Sequence, residues 1–340
     1  MRRRLVLAVT PLVGAIASLF AIATSAGGAS PAPSTEASKL LVAGAGTGAW
    51  RLRVDGAGAR VERAAGRIAL PLPPAATMDA FQPTGGGWVA AGSTPVAGGR
   101  DLALWRGDGA RAVAMPAPPA RRGALRVSPV LLAHDGELVA MAWLEGEAHD
   151  RLGVQAATWD GHAWSTPAVV APPGRGSQLA LTGDVLADGS LLLAWSAFDG
   201  TADAIRWSRR RGARWSEPRA IARPQPVPDI TPALRADGSS GSEPGALLAW
   251  SRYDGNDYRL LLARFDGRQW SAPRTVGGKG TLFPSWQQDA LLFRDASHGA
   301  WVGATVTAND ALALAVAKAA PPLPRPAIVR DGDRLAIELP

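Results

Sequence analysis

The 340-residue chain has no cysteine. Disulfides, thiolate metal sites and lipid attachment at a signal-peptide cysteine are therefore excluded. Histidine is scarce: His134, His149, His162 and His298 are scattered without ligand spacing, so no metal and no cofactor is expected. Tyrosine is scarcer still, with Tyr253 and Tyr258 alone. Lysine occurs only at 39, 279 and 318, so the basic character comes from arginine. Helical periodicity is also missing. Beyond the first 26 residues no window keeps an apolar period of 3.6. A phosphate loop opening a helix has no setting in such a chain, and no Gly-x-Ser-x-Gly elbow occurs.

The one long apolar run is at the start. Arg2, Arg3 and Arg4 precede an apolar stretch from Leu5 to about Ile22, followed by the small residues Ala23–Ala26. This reads as a secretory signal over 1–26, with an uncleaved anchor as the alternative. Export implies a secreted or periplasmic protein, with no membrane span once the signal is gone. Residues 27–38, "GGASPAPSTEAS", read as a linker. Net charge is +7, and the 1–26 segment holds three of the arginines and no acid. The remaining excess is mild, and "RRRGAR" at 209–214 is its densest cluster. Without a basic stripe interleaved with aromatics, no nucleic-acid partner is expected.

What fills the rest is a repeat. Apolar segments recur at 40–46, 88–94, 138–144, 191–197, 246–252 and 301–307, and Trp143, Trp195 and Trp250 fall 52 and 55 residues apart. A second segment follows each one, and a third, such as "PVLLAHDG" from Pro129, precedes most of them. All are short and cut by Asp-Gly, Gly-Ser or Pro, which is strand and hairpin punctuation. Six units of about 50 residues with three or four strands each predict an all-β, six-bladed β-propeller over 39–340. The units span 39–72, 76–119, 123–174, 176–224, 227–278 and 281–330. The first reads as lacking an innermost strand, which "DRLAIELP" at 333–340 would supply, closing the ring and removing an open edge.

Three turns share a frame: "TWDGHAWSTP" at 158–167, "RRRGARWSEP" at 209–218 and "RFDGRQWSAP" at 264–273. Here the chain resembles the sialidase-like propellers with Asp-box (bacterial neuraminidase) repeats, whose motif Ser-x-Asp-x-Gly-x-x-Trp lies between a blade's third and fourth strands. The match falls on Asp160, Gly161 and Trp164, on Asp266, Gly267 and Trp270, and on Gly212 and Trp215, where Arg stands in place of Asp. The resemblance implies a structural role for these residues, on the face away from the ligand. The chemistry agrees: Asp accepts turn N–H groups, Gly takes positive φ, and Trp packs between blades.

Ligands would then meet the opposite face. It is built from the loops 144–150, 197–203 and 252–258 and the connections 118–128, 172–178, 223–230 and 277–286. Glu145, Glu147, His149, Asp150, Arg126, Arg175, Asp199, Asp203, Asp229, Arg252, Tyr253, Asp254 and Asp257 fall there. Arg126, Asp199, Asp229, Arg252, Tyr253 and Asp257 are the ligand-binding candidates. Tyr253, Asp254 and Glu145 are the candidates for catalysis. For a sialidase, the resemblance implies three Arg on a carboxylate, a Tyr nucleophile with a Glu partner, and an Asp acid/base. "GRIALP" at 66–71 keeps only part of the family's Arg-Ile-Pro. The reading is a monomeric, non-catalytic binding or scaffold module for a glycan, a cell-envelope component or a partner protein. The alternative is a glycoside hydrolase of exo-sialidase type.

Overall fold

The computed structural model describes residues 39–43, 50–55, 58–63, 66–70, 76–107, 111–119, 125–173, 176–237, 244–287, 290–295, 300–306, 312–315, 327–331 and 334–338. The signal segment, the linker and Arg175 lie outside the described residues. Every regular element described is a strand. Among the described residues no helix is long and apolar enough to cross a membrane.

The strands form six antiparallel sheets in chain order. Sheet one holds β1 (Lys39–Ala43), β2 (Trp50–Asp55), β3 (Gly58–Arg63) and β4 (Gly66–Leu70). Sheet two holds β5 (Thr77–Thr84), β6 (Gly87–Val96), β7 (Gly99–Gly107) and β8 (Ala112–Met115). Sheet three holds β9 (Leu125–His134), β10 (Glu137–Gly146), β11 (Leu152–Thr158) and β12 (Ala168–Ala171). Sheet four holds β13 (Gln178–Val185), β14 (Leu191–Phe198), β15 (Asp203–Arg211) and the short β16 (Arg214–Trp215) and β17 (Arg219–Ala220), both paired with β15. Sheet five holds β18 (Asp229–Asp237), β19 (Gly245–Tyr253), β20 (Tyr258–Phe265) and β21 (Arg274–Thr275). Sheet six holds β22 (Thr281–Gln287), β23 (Ala290–Asp295), β24 (Ala300–Val306) and β25 (Leu312–Ala315). A separate hairpin, β26 (Ala327–Asp331) with β27 (Arg334–Glu338), follows. The fold is all-β and propeller-like.

The first strand of each sheet from two to six packs on the sheet before it. The core is therefore a series of sheet-to-sheet layers. Leu132, Trp195, Val154 and Leu193 fill the layer between sheets three and four, and Trp207, Leu234, Trp250 and Phe265 the next. Trp88, Trp143, Trp195 and Trp250 are fully buried. Each such side chain is worth more than the roughly 1.5–3 kcal/mol of a buried Leu or Phe. The tryptophan stripe is core, as a repeat that cannot bury its faces alone requires.

One device recurs in the first strands. Ser128, Ala180, Thr231 and Phe283 all have positive φ, between 45° and 54°, and stand 51 or 52 residues apart. At each, the register with the second strand slips by one residue. The extra residue makes a β-bulge. Opposite the four bulges stand Trp143, Trp195, Trp250 and Phe293, each between paired neighbours.

The bulge corrects several expectations. A register slip breaks the alternation of apolar and polar residues, so the half-strand before it looks like loop. Arg126 and Asp229 accordingly lie in β9 and β18, not in connections, and are 1% and 2% exposed. In sheet six the same effect hides β22, so "ALLFRD" at 290–295 forms the second strand and "AWVGATV" at 300–306 the third. Sheet one has four strands of its own. The C-terminal β27 approaches β1 but, among the described residues, pairs with β26 alone. It does not complete sheet one.

Candidate functional site

At one end of the strands, the third strand turns back to the fourth. In sheet three Asp160 Oδ1 accepts the N–H groups of His162 and Ala163 at 2.8 and 2.7 Å, and Gly161 sits at φ 97°. In sheet five Asp266 Oδ1 accepts those of Arg268 and Gln269, both at 2.8 Å, with Gly267 at φ 92°. Ser165 and Ser271 finish both turns by accepting the N–H of Thr158 and Arg264 at 3.0 Å. Sheet four keeps the serine, with Ser216 accepting the N–H of Arg209 at 3.1 Å, but in place of the Asp cap it has Gly212 at φ 57° and a tight pairing of Arg211 with Arg214.

The arginines there reach to the neighbour instead. Arg209, 5% exposed, and Arg211 donate to the carbonyl of Gly267 at 2.5 and 3.0 Å. The indole of Trp164 donates to the carbonyl of Pro116 at 2.7 Å, tying sheet three to the exit of sheet two. Trp215 packs on the core between sheets three and four, and Trp270 on Trp207 and Phe265. Apart from the buried Trp270 indole N–H, which has no partner among the described residues, these turns spend their polar groups on architecture.

The same turn appears at the opposite end. Asp199 Oδ1 accepts the N–H groups of Thr201 and Ala202 at 2.9 Å, with Gly200 at φ 98°. Asp254 Oδ1 accepts those of Asn256 and Asp257 at 3.0 and 2.9 Å, with Gly255 at φ 95°. The Asp257 N–H, the Arg259 guanidinium 2.5 Å away and the Asn256 N–H hold the Asp254 carboxyl down at about 2. Such a group keeps no proton to donate near neutral pH. Asp257 accepts the N–H of its own neighbour Tyr258 at 2.8 Å. The structure thus places these three carboxylates in turns.

Four further candidates form two struts. In β18 and β19, Asp229 and Arg252 are register partners, joined by two parallel bonds of 2.7 and 2.6 Å. The Trp250 indole donates to the same carboxylate at 3.1 Å. In β9 and β10 the corresponding partners are Arg126 and Glu145. Arg126 lies 2.5 Å from Asp101 and 3.5 Å from Glu145, donates to the carbonyl of Pro118 at 2.9 Å and stacks over Trp143. The Trp143 indole donates to Glu145 at 2.9 Å. Sheet four fills this slot with Gln178 and Ala197, and the Trp195 indole donates to Gln178 Oε1 at 2.6 Å. In each of these sheets the slot anchors a buried indole N–H.

What is left uncommitted lies between sheets four and five. The first residues of the third strands are Leu152, Asp203 and Tyr258, paired with Gly146, Phe198 and Tyr253. Leu152 is buried. Asp203, half-buried, faces Asp229 and Tyr258. Loss of solvent, then the charges of Asp229 and Asp199, push its carboxyl up to about 7. Burial, then Tyr253 and Asp203, push the Tyr258 phenol up. The Tyr253 and Tyr258 rings lie 5.2 Å apart at 52°. Among the described residues, neither phenol and no carboxylate oxygen of Asp203 has a hydrogen-bond partner. Three polar groups with open valences therefore meet at one seam.

Of the expected residues, Tyr253 is in this site, and the Asp229–Arg252 pair lies beside it. Arg126, Glu145, Asp199, Asp254 and Asp257 are engaged elsewhere. The sequence sets Asp203 among the loop carboxylates without distinction, and Tyr258 is not among its candidates. The available signal was the slot: an Asp where sheet three has a buried Leu.

No protein-family model and no curated protein matches the chain. Solved structures are similar in fold. An arginine-to-alanine mutant of AofleA from Arthrobotrys oligospora is 11% identical with a TM-score of 0.52, covering 82% of this chain and 85% of that one. A polysaccharide lyase of family PL25, an ulvan lyase bound to -[GlcA(1-4)Rha3S]-, is 7% identical with a TM-score of 0.52, covering 80% and 81%. At these identities the likeness shows the fold alone.

Proposed function

We propose that this chain is an exported β-propeller that binds a glycan without turning it over. The observation that carries the reading is the seam of Asp203, Tyr253 and Tyr258, whose polar groups lack partners among the described residues. A sugar ring offers hydroxyls to such groups and an apolar C–H face to tyrosine rings. Support for the non-catalytic part comes from the other carboxylates. Glycoside hydrolysis with paired carboxyls needs a second free one near the first. Asp229 is closed by Arg252, Asp254 is closed by its turn and by Arg259, and Asp199 is engaged by its own turn through Oδ1. The alternative, a sialidase-type hydrolase, draws on Tyr258 lying beside Asp203. A tyrosine nucleophile needs activation toward its phenolate, and the surroundings of Tyr258 act in the opposite sense.

In this reading six blades form a ring that the C-terminal hairpin closes between sheet six and β1. Removing 333–340 is then expected to lower the melting temperature sharply, and an unchanged melt would refute closure. The binding reading is tested by a glycan array, followed by titration of any hit and by incubation with fluorogenic sialosides and other glycosides. Binding that weakens at least about tenfold in Tyr258→Phe or Asp203→Asn, with no released product, is the expected result. Turnover that is lost in those variants would establish the hydrolase instead.

A further inference from the structure

A second opening lies on the other face of sheet four, toward sheet three. It is a hollow of about 390 Å³. Its walls are apolar for the most part, with Pro172, Pro218, Pro224 and Phe198, and Asp199 also lines it. Into it comes Arg206 of β15, half-buried. In the register of the repeat, Arg206 pairs with Trp195 as Leu261 pairs with Trp250 and Gln155 with Trp143. The slot is apolar in sheet five, uncharged in sheet three and, of these three, cationic only in sheet four.

Half-burying a guanidinium beside prolines costs solvation, and other arginines of this molecule recover it. Arg126, Arg209 and Arg252 each hold a carboxylate. Among the described residues the Arg206 guanidinium has no hydrogen bond and no ion pair. Asp199, in the same lining, is near enough to feel its charge, but its Oδ1 is engaged by Thr201 and Ala202 and, among the described residues, no hydrogen bond or ion pair joins it to Arg206. Gln178 also lines the hollow; its Oε1 is taken by Trp195, which turns its amide N–H₂ away from that bond as a free donor pair.

We infer that this hollow takes a carboxylate, carried on a sugar ring. A planar guanidinium binds a carboxylate through two parallel bonds, and Gln178 adds a neutral donor. Proline and phenylalanine faces suit the C–H side of a pyranose. The sugar part rests on the glycan-binding reading; the carboxylate part rests on Arg206. The ligand class is a uronate, and the site is separate from the Asp203 seam.

The probe is D-glucuronate, titrated calorimetrically into the full chain beside D-glucose and acetate, with Arg206→Gln, Arg206→Lys and Asp203→Asn as variants. Glucuronate is expected to bind at least about tenfold more tightly than either control. Arg206→Gln should lose at least about tenfold in affinity with its melting temperature kept, Arg206→Lys should lose less, and Asp203→Asn should leave the affinity unchanged. No glucuronate binding at millimolar concentration, or binding that Arg206→Gln leaves intact, overturns the inference. Glucuronate binding lost in Asp203→Asn and kept in Arg206→Gln also overturns it, while the glycan-binding reading survives.

Discussion

Sheets three and five place opposite charges in one register slot. Sheet five puts the acid on the first strand and the base on the second, as Asp229 and Arg252. Sheet three reverses them, as Arg126 and Glu145. Both hold an indole N–H in place, Trp250 through Asp229 and Trp143 through Glu145. A slot that tolerates either polarity is not reading a ligand's charge. It satisfies a buried donor and bridges two strands across a bulge. In sheet four Gln178 does the anchoring alone, and the charged residues, Asp203 and Arg206, stand outside the slot.

The largest effect is expected from removing one half of a strut. Arg252→Met leaves Asp229 buried without its partner and should cost about 3 kcal/mol, read by denaturant unfolding. Writing the sheet-three polarity into sheet five, as Asp229→Arg with Arg252→Glu, should recover part of that loss. A double variant no better than Arg252→Met would break the equivalence of the two struts. Next comes Trp250→Phe, which removes one hydrogen bond to a charged group and some packing. It should cost about 2 kcal/mol, and Trp195→Phe, whose acceptor is a neutral amide, should cost less beyond the shared packing loss.

A smaller effect distinguishes the seam by its pH dependence. The Asp203 carboxyl is raised from 3.8 to about 7 in the folded protein. Between about pH 4 and 7 the folded state holds a proton that the unfolded state has released. Stability from this group is therefore greatest at low pH and is lost as pH rises through 7. Asp203→Asn should flatten this slope in melts recorded from about pH 4 to 8. Asp254 has the opposite sign: its lowered carboxyl stabilises above about 4 and loses that contribution as pH falls toward 2. The smallest effect belongs to the exposed turns. Asp254→Asn and Asp266→Asn should each lower the melting temperature slightly, Asp254→Asn by somewhat more, because both carboxylates cap the same turn and Asp254 also holds Arg259.

Much of the fold was legible because the repeat imposes it. The tryptophan spacing and the Asp-Gly turns mark out the six spans, and each span holds one of the six sheets. What escaped was the first half of β9, β13 and β18 and the whole of β22, since a positive-φ residue such as Ser128 or Thr231 breaks the alternation that announces a strand. The same break misplaces part of the site. Arg126 and Asp229 read as loop residues open to a ligand, whereas burial and pairing make them struts. Asp199 and Asp254 read as mouth carboxylates, whereas each caps the same turn as Asp160. Asp203 and Tyr258 carry no local motif. Their meaning comes from the seam between two sheets, which spacing along one strand does not express.

The central claim is that the Asp203–Tyr253–Tyr258 seam is a binding site and that the struts beside it are not. Titration of the tightest array ligand into wild type, Tyr258→Phe and Glu145→Gln tests this most directly. The account predicts at least about a tenfold loss of affinity in Tyr258→Phe at unchanged melting temperature, and none in Glu145→Gln. Equal affinity in wild type and Tyr258→Phe, or a loss in Glu145→Gln alone, would contradict it.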